Sequence, residues 1–549
     1  MPGSELTRAI DPAPPEELAS HREDGRKAPR RWQDYLLPST ADLIFVAFLL
    51  ALSMGSLAMK MLGDGGIGWH IRTGELILES KSVPRVDPFS STMHGQPWYA
   101  WEWLSDVAVA LLHRVAGLNG VVFISALAIA ATFAFAFRRM IAHGTGVLLA
   151  VGLVLIAAVG SSVHFLTRPH VFSWLLTLIW FEILRKYVRD GNARHLLWLP
   201  AIMLIWVNLH GGFLVGFVLL AAYGLGLALD CVLGEGASAG NRVPGKISLQ
   251  RAQSLAAAGT ACAAVTLVNP YGYRLHEHIY RYLTDRFLMD HIDEFLSPNF
   301  HGLPQKFFAI MILLAIVALA VARRKIAISE MLVVLFAVYS GLYATRDIPV
   351  SSLLLAMIVG PHLAQALEAG PQGEGRLHLR TRCRAAYLRF EERMTALEIS
   401  LKGHWLAILA ILVGGWICLQ GGRLGDTQFM NAQFDSNRFP KQAVDWLENE
   451  RVREPLFCID SWGGYVIYRE FPKLQVAIDD RHDLYASEYL KNYLKIIRVE
   501  PGWDQALEET HASWLLLPSQ SAAATLLHQV PMWRVTYEDK TGVVFHRMN

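Results

Sequence analysis

The chain has 549 residues, of which 53% are hydrophobic and only 18% are charged, and its apolar residues occur in long uninterrupted blocks. This composition excludes an ordinary soluble protein and indicates an integral membrane protein. The net charge is only +2, and no basic run is interleaved with aromatic residues, so nothing favours nucleic-acid binding. The five cysteines have the spacing of neither a zinc site nor a disulfide framework.

The amino-terminal segment, residues 1–38, is rich in Pro, Glu and Arg and has neither the apolar core nor the cleavage site of a signal peptide. We therefore expect these residues to form a disordered cytoplasmic tail. The membrane domain then begins at residue 39 and extends to residue 421.

Eleven apolar segments follow, most of them with the roughly 18 to 23 residues that a helix needs to cross a bilayer. They predict a polytopic α-helical membrane protein of about 11 transmembrane helices. The segments lie near 40–61, 119–137, 146–164, 170–187, 195–208, 212–233, 252–268, 307–322, 328–344, 348–367 and 404–421.

Basic residues mark one side of the membrane. If the amino terminus is cytoplasmic, all five inner loops are basic, as the positive-inside rule requires. These loops contain 138–139, 185–194, 242–251, 323–325 and 368–402. In a bacterium this pattern predicts a multi-pass protein of the inner membrane, with residues 422–549 and a large first loop, 62–118, on the outer side.

The segment 422–549 changes character, because predicted helices alternate with short predicted strands. It predicts a small extracytoplasmic α/β domain, and it contains no glycine-rich nucleotide-binding motif. Asp479 and Asp480 end one predicted strand. Adjacent residues of a strand face opposite ways, so this pair predicts an ion-paired turn rather than a catalytic dyad.

The first outer loop opens with Asp64. Helical periodicity predicts helices over 69–78 and 101–115, joined by a turn-rich segment. Asp64 either caps the first of these helices or has a chemical role. We favour the chemical role because the neighbouring glycines leave room for a substrate. The loop's four tryptophans suit the lipid headgroup zone; they are Trp69, Trp98, Trp101 and Trp103.

Several motifs accompany Asp64. The loop contains WHIRTGE, DPFSST and WEWL, and the later motifs are TRPHVFSWLL (167–176), WVNLHGGFLVG (206–216), VNPYG (268–272), EFLSPNF (294–300), ATRDIPV (344–350), DSWGGY (460–465) and IDDRHDLY (478–485). With these motifs the chain resembles uncharacterised bacterial multi-span membrane proteins related to the GT-C glycosyltransferases, which use polyprenyl-phosphate sugars and include the dolichyl-phosphate-mannose mannosyltransferase type.

That resemblance implies a GT-C-like fold and a GT-C-type glycosyltransferase. Such an enzyme moves a sugar from a polyprenyl-phosphate-linked donor to a glycan, lipid or protein acceptor at the outer face of the membrane. By the same resemblance, Asp64 corresponds to the aspartate that activates the acceptor. Related chains often have a second acidic residue two positions later, where this chain has Gly66, and this difference speaks against a D-x-D metal motif.

The expected chemistry needs a base for the acceptor proton and cations for the departing lipid phosphate. Asp64 is the expected base and Asp87 the reserve. Cations at outer helix ends and in the first loop are expected to bind the phosphate: Arg346, Arg168 and Arg72. The expected substrate pocket consists of His70, Glu102, Asn208, His210 and Asn269. Snorkelling arginines and helix-end caps are the plain structural alternatives.

The sequence indicates no cofactor apart from the lipid-linked donor, no metal ligands are assigned, and dependence on a divalent metal is left open. Membrane lipids are the other expected partners. Two further functions remain as alternatives. One is a non-catalytic scaffold or receptor of the cell envelope, and the other is a transporter of a lipid-linked substrate, which the lack of charges at mid-membrane disfavours.

Overall fold

The computed structural model describes residues 33–233, 245–322, 325–369 and 378–548. The predicted disordered tail therefore lies outside the described residues as far as residue 32. Its last part is ordered, because Gln33–Leu36 form a short helix. The backbone oxygens of Leu36 and Leu37 accept hydrogen bonds from Trp405 and Gly403, which attach this helix to the start of the last apolar helix.

The membrane domain is almost entirely helical. In chain order its helices are α1 (Gln33–Leu36), α2 (Thr40–Ser53), α3 (Gly55–Met61), α4 (Ile67–Ser80), α5 (Trp103–Ala142), α6 (Val147–Ser161), α7 (His170–Asp190), α8 (Trp198–Leu209), α9 (Phe213–Val232), α10 (Gly245–Val265), α11 (Arg274–Thr284), α12 (Arg286–His291), α13 (Leu303–Val321), α14 (Ile328–Tyr343), α15 (Ile348–Ala369), α16 (His378–Ser400) and α17 (Trp405–Leu419). Helix α5 is broken at Gly117, whose φ is 58°.

Each of the eleven predicted apolar segments coincides with one of these helices or with the bent pair α2 and α3. Within the described ranges, five helices are long and apolar enough to cross a membrane, or up to seven if each of two bent pairs forms one span. The chain is therefore a multi-pass membrane protein. The count of about 11 crossings remains a prediction, because α8 and α14 are short and α7 and α10 carry more polar residues.

The tail folds around a four-stranded mixed sheet. Its strands are β3 (Leu456–Cys458), β4 (Trp514–Pro518), β5 (Trp533–Glu538) and β6 (Gly542–Arg547), in the order β3-β4-β6-β5. Only β3 and β4 are parallel. A small hairpin of β1 (Arg423–Leu424) and β2 (Thr427–Gln428) precedes the sheet. The tail helices are α18 (Lys441–Asn449), α19 (Asp460–Glu470), α20 (His482–Arg498), α21 (Trp503–Glu509) and α22 (Ala522–Leu527).

One predicted strand of the tail, 474–479, is not a full strand. Val476 makes only isolated parallel bridges, one to Leu456 of β3 and one to Ser90 of the first outer loop. The loop continues the contact at Thr92, whose hydroxyl donates to the backbone oxygen of Ala477 at 2.6 Å. This segment is therefore shared between the tail and the loop, and it joins the two through backbone hydrogen bonds.

The tail and the loop also meet at a glycine contact. A β-carbon on Gly464 of α19 would lie 2.4 Å from the backbone oxygen of Gly65, and one on Gly68 would lie 2.1 Å from the oxygen of Gly464. Real β-carbons do not come so close to a backbone oxygen, so only glycine allows α19 to pack on α4 at this separation. The contact brings the tail directly beside Asp64.

Candidate functional site

Asp64 lies just beyond the carboxyl end of α3, in the turn that leads into α4. Its Oδ1 atom accepts a 2.8 Å hydrogen bond from the backbone N–H of Gly66 and a 2.7 Å bond from Nη2 of Arg168. Among the described residues, no hydrogen bond reaches Oδ2. The side chain is 26% exposed. Asp64 thus stabilises the start of α4, as a cap would, and its partly exposed side chain keeps one oxygen free of hydrogen bonds to the described residues.

Arg168 belongs to the short connection between α6 and α7 and joins two carboxylates. Its Nη2 atom contacts Oδ1 of Asp64 and Oδ2 of Asp480. The other oxygen of Asp480 accepts a 2.9 Å hydrogen bond from the indole N–H of Trp69. Residues from the first loop, the second outer connection and the tail therefore form one cluster, Asp64–Arg168–Asp480, which we call the carboxylate cluster.

Gly66 lies at the centre of the carboxylate cluster. A β-carbon at this position would lie 2.4 Å from Oδ2 of Asp480, 2.5 Å from Nη2 of Arg168 and 3.1 Å from Oδ1 of Asp64. Any side chain there would displace the arginine or the tail aspartate. The space that a second acidic side chain at position 66 would need is thus occupied by a carboxylate from the tail, 414 positions further along the chain.

The expectation that the loop glycines leave room for a substrate is wrong. A β-carbon on Gly65 would lie 2.6 Å from the backbone oxygen of Ser461, and one on Gly63 would lie 2.8 Å from the oxygen of Lys60. Close packing of the tail and of neighbouring backbone fills the space at these glycines. The accessible side of Asp64 is therefore not the side on which the glycines lie.

A second polar group lies beside the carboxylate cluster, at the start of α5. Nδ1 of His70 hydrogen-bonds to Oδ1 of Asp106 at 2.6 Å, and its Nε2 lies 3.7 Å from Glu102. Nε2 of His210 lies 3.5 Å from the other oxygen of Glu102. Glu102 is therefore placed between two imidazole rings, at distances just longer than a hydrogen bond.

We call His70, Glu102 and His210 the histidine group. Burial determines which of its members are charged. Burial and the charge of Arg168 hold the pKa of His70 well below its ordinary value, and burial with Arg346 lowers the pKa of His210 to about 3. Both rings are therefore neutral at pH 7. Burial raises the pKa of Glu102 to about 8, although Arg168 and Arg346 oppose the shift. A carboxyl group with this pKa holds its proton at neutral pH and can exchange it there.

The orientation of His210 follows from its hydrogen bonds. Its Nδ1 accepts from the backbone N–H of Gly212 at 2.9 Å and lies 2.8 Å from the hydroxyl of Ser173. The proton of the neutral ring is therefore on Nε2, which faces Glu102. The indole N–H of Trp206 donates to the same serine oxygen at 2.7 Å and fixes this arrangement.

A narrow crevice, with no room for a water molecule, lies where the two groups meet. Arg168, His70 and Asp106 line it, together with apolar side chains such as Phe172. Two buried atoms on its wall, Nε of Arg168 and Oδ2 of Asp106, lack a hydrogen-bond partner among the described residues. Buried polar atoms normally have a partner, so Nε of Arg168 and Oδ2 of Asp106 are among the exceptions in the described part of the chain.

Arg346 lies in the short connection between α14 and α15. Its Nη1 atom is 3.1 Å from Glu294, and its guanidinium lies over the ring of Phe295 at 4.6 Å. Burial would raise the pKa of Glu294, but Arg346 and Arg168 outweigh it and lower the pKa to about 2. Both arginines shift the pKa of Glu294 and of Glu102, so both guanidinium groups lie near these two carboxyl groups.

Two of the expected site residues are separate from this region. Asp87 is fully buried and pairs with Arg481 at 2.7 Å, so it has no free face for a substrate. Arg72 donates from Nε to the backbone oxygen of Tyr468 at 3.0 Å and pairs with Glu75. Asp87 and Arg72 therefore contact the tail instead of facing the free oxygen of Asp64.

The side-chain amides of the two expected asparagines form hydrogen bonds to the protein around them. The amide of Asn208 accepts from the indole of Trp103 and donates to the oxygens of Leu204 and Val268. The amide of Asn269 closes its own turn, because it donates to Thr266 and Gly272 and accepts from Tyr271. Asn208 thus fixes the start of α5 beside Glu102, and Asn269 fixes the turn before α11.

Two tryptophans that were expected in the lipid headgroup zone are buried inside the protein. Trp69 and Trp98 are 9% and 3% exposed, and both rings lie within 6.0 Å of the guanidinium of Arg481. The expectation failed because the tail covers the loop, and the loop's aromatic side chains pack on a buried cation instead of on lipid.

Sequence reasoning missed Asp480 and Glu294 as members of the site. It treated 479–480 as an ion-paired turn, and this holds for Asp479, which pairs with Arg481 at 2.7 Å. It also follows that Asp480 faces the other way, towards Arg168. The alternating directions of neighbouring strand side chains could have revealed Asp480. A charged residue that points away from its own turn needs a partner elsewhere in the fold.

The positive charge beside Asp64 comes from Arg168. Within the part of the chain that the structure describes, no group of three or more His, Cys, Asp or Glu residues has the geometry to hold a metal ion.

The fold is similar to that of known membrane glycosyltransferases. It matches the oligosaccharyltransferase of Archaeoglobus fulgidus tethered with an acceptor peptide, with a TM-score of 0.52, 10% identity, and coverage of 93% of this chain and 74% of that chain. It also matches ArnT from Cupriavidus metallidurans bound to undecaprenyl phosphate, with a TM-score of 0.49, 14% identity, and coverage of 92% and 97%. No protein-family model and no curated protein sequence matches the chain.

Proposed function

We propose that this chain, whose structural neighbours are GT-C glycosyltransferases, transfers a sugar from a polyprenyl-phosphate-linked donor to an acceptor at the outer face of the bacterial inner membrane. The observation that carries the proposal is the position of Asp64. Its side chain is partly exposed at the end of a membrane-domain helix, with one oxygen free of hydrogen bonds to the described residues, beside a guanidinium that a phosphate can use. The acceptor is a glycan, lipid or protein.

The reaction assigns one task to each group. Oδ2 of Asp64 removes the proton from the acceptor hydroxyl, whose oxygen attacks the anomeric carbon of the donor sugar. The bond between that carbon and the phosphate oxygen breaks, and polyprenyl phosphate leaves with the bonding electrons. Arg168 and Arg346 stabilise the negative charge that develops on the phosphate, because guanidinium groups form strong charge-assisted hydrogen bonds to phosphate oxygens.

The histidine group is assigned to the sugar and the acceptor. His70, Glu102 and His210 form a small polar group in which both rings are neutral and Glu102 is protonated at pH 7. Neutral donors and acceptors suit hydroxyl groups better than they suit a second phosphate. In this proposal the uncharged histidine group binds hydroxyl groups of the sugar and the acceptor, and the charged carboxylate cluster lies beside it.

Binding of undecaprenyl phosphate to the purified full-length protein in detergent tests the donor assignment. Replacing Arg346 with Ala should weaken binding by about tenfold or more, because a hydrogen bond to a charged group contributes about 1.5–3 kcal/mol. The exposed Arg281, whose one ion pair among the described residues is with Glu277 of the same helix, is the control, and Arg281→Ala should bind as the wild type does. Equal affinities for wild type and Arg346→Ala would remove the phosphate role of Arg346.

A further inference from the structure

The tail carboxylate of Asp480 is built into the carboxylate cluster. Its side chain is 12% exposed, less than half the exposure of the side chain of Asp64. Burial raises the pKa of Asp480 above its ordinary range, and the charge of Asp64 adds to the effect, whereas Arg168 opposes it. Holding a carboxylate here therefore costs free energy, and the indole of Trp69 and the guanidinium of Arg168 are the groups that compensate.

The two carboxylates use only one nitrogen of Arg168. Both accept from Nη2, whereas Nε is buried without a partner and Nη1 makes no hydrogen bond to the described residues. A guanidinium has five N–H donors, so this arrangement fixes the arginine and leaves most of its donors unused. These unused donors can bind a phosphate oxygen first, before the phosphate replaces a carboxylate at Nη2.

The charges of the cluster balance while Asp480 is protonated and not when it is ionised, and burial raises its pKa to about 7. When Asp64 and Asp480 are both ionised they place two negative charges against the single positive charge of Arg168. An incoming phosphate must therefore compete with carboxylates for the guanidinium. A phosphate that has bound can be displaced again by the carboxylate that it replaced. The free donors favour entry and the excess negative charge favours release.

We propose that Asp480 is the internal counter-anion of Arg168, a positioning residue that holds the guanidinium beside Asp64 in the empty site and returns to it when the polyprenyl phosphate leaves. The inference rests on the proposed function, because the leaving anion is the product of that reaction. It gives the tail a direct part in the reaction cycle, since a carboxylate of the tail promotes release of the product.

The neighbouring residue Asp483 provides a matched control. It lies three positions after Asp480 in the same segment and also attaches the tail to the membrane domain, through a 3.0 Å contact with His278. Loss of Asp483 disturbs the tail contact without changing the partners of Arg168. Asp480→Asn keeps the size of the side chain and the oxygen that accepts from Trp69, and it removes both the negative charge and the oxygen that accepts from Arg168.

The experiment measures binding of undecaprenyl phosphate to the full-length protein, with undecaprenol as the uncharged probe. Asp480→Asn should bind undecaprenyl phosphate about fivefold more tightly than the wild type, because a competing negative charge has been removed. Affinity for undecaprenol should not change. Asp480→Glu should return the phosphate affinity to the wild-type value, and Asp483→Asn should leave it there. A merely structural role for Asp480 would weaken binding of both lipids instead.

The outcomes separate this inference from the proposed function. If Asp480→Asn binds undecaprenyl phosphate as the wild type does, or more weakly, the proposed role of Asp480 is wrong. The proposed function of the chain is unaffected by that result. Wild-type protein that binds the phosphate no better than undecaprenol overturns the donor assignment, and the inference fails with it. If Asp480→Asn does not fold, Asp480→Glu decides the question, because an affinity far from that of the wild type contradicts the proposed exchange.

Discussion

A β-carbon on Gly464 would lie 2.4 Å from the backbone oxygen of Gly65, so the tail and the first outer loop are packed at the closest distance that their backbones allow. Gly65 is the neighbour of Asp64 in the chain. The glycine pair of the DSWGGY motif therefore determines how closely Asp480 and the rest of the tail approach the proposed base.

Replacement of Gly464 with Ala should displace the tail. The added methyl group must move α19 away from α4, and overpacking of this kind costs about 1–3 kcal/mol. We expect a lower unfolding temperature in detergent and faster proteolysis of the tail. Gly415→Ala is the control, because a β-carbon on this glycine of α17 would meet nothing within 4 Å. Equal behaviour of the two variants would show that the glycine contact does not hold the tail.

Arg481 should contribute more to stability than any exposed arginine of the tail. It is fully buried between Asp87 and Asp479, both at 2.7 Å. Arg481→Met leaves two buried carboxylates without their cation, which should cost about 3–5 kcal/mol of unfolding free energy.

The double variant Asp87→Asn with Arg481→Met should recover part of that loss, because it removes one of the two unpaired charges. Thermal unfolding of the purified protein measures both effects, and Arg534→Met, at an exposed position of β5, is the control. A double variant no more stable than Arg481→Met alone would contradict the coupling between Arg481 and Asp87.

Glu102 should make the stability of the protein depend on pH. Burial raises its pKa from 4.5 to about 8, so between these values the folded chain holds a proton that the unfolded chain releases. The contribution of Glu102 to stability therefore decreases as pH rises from 4.5 through 8. Glu102→Gln removes the ionisation, and its unfolding temperature should exceed that of the wild type by more at about pH 9 than at about pH 5.

The exposed Glu450 of the tail serves as the control for this measurement, and Glu450→Gln should show no such pH dependence. If the difference between Glu102→Gln and wild type were the same at both pH values, Glu102 would not be held protonated by burial.

The sequence predicted the elements of this fold better than their contacts. Apolar length placed a helix at every proposed span, because a helix in lipid must satisfy its own backbone and depends little on its neighbours. Alternation of strands and helices predicted the tail domain for a similar local reason. The strand predicted at 474–479 failed because its bridges depend on Ser90 in a distant loop.

The site was predicted only in part. Two groups of the expected residues do come together in the structure. Asp64 contacts Arg168, and Glu102 lies between His70 and His210. Asp480 could not be placed from sequence, because its partner Arg168 is 312 positions away and no local pattern encodes that distance. Asp87 is an acidic residue of the first loop, as Asp64 is, but it is buried against Arg481 and lies apart from the free oxygen of Asp64.

Transfer by membrane vesicles that carry either wild-type protein or Asp64→Asn tests the central claim most directly. The measured quantity is release of polyprenyl phosphate from synthetic polyprenyl-phosphate-linked hexoses and pentoses, with acceptor supplied by the host membrane. Wild-type vesicles should release it from at least one donor about 100-fold faster than Asp64→Asn vesicles, since a positioned base contributes roughly 10²–10⁴-fold. Equal release from both, with equal amounts of folded protein, would contradict the assignment of Asp64 as the base.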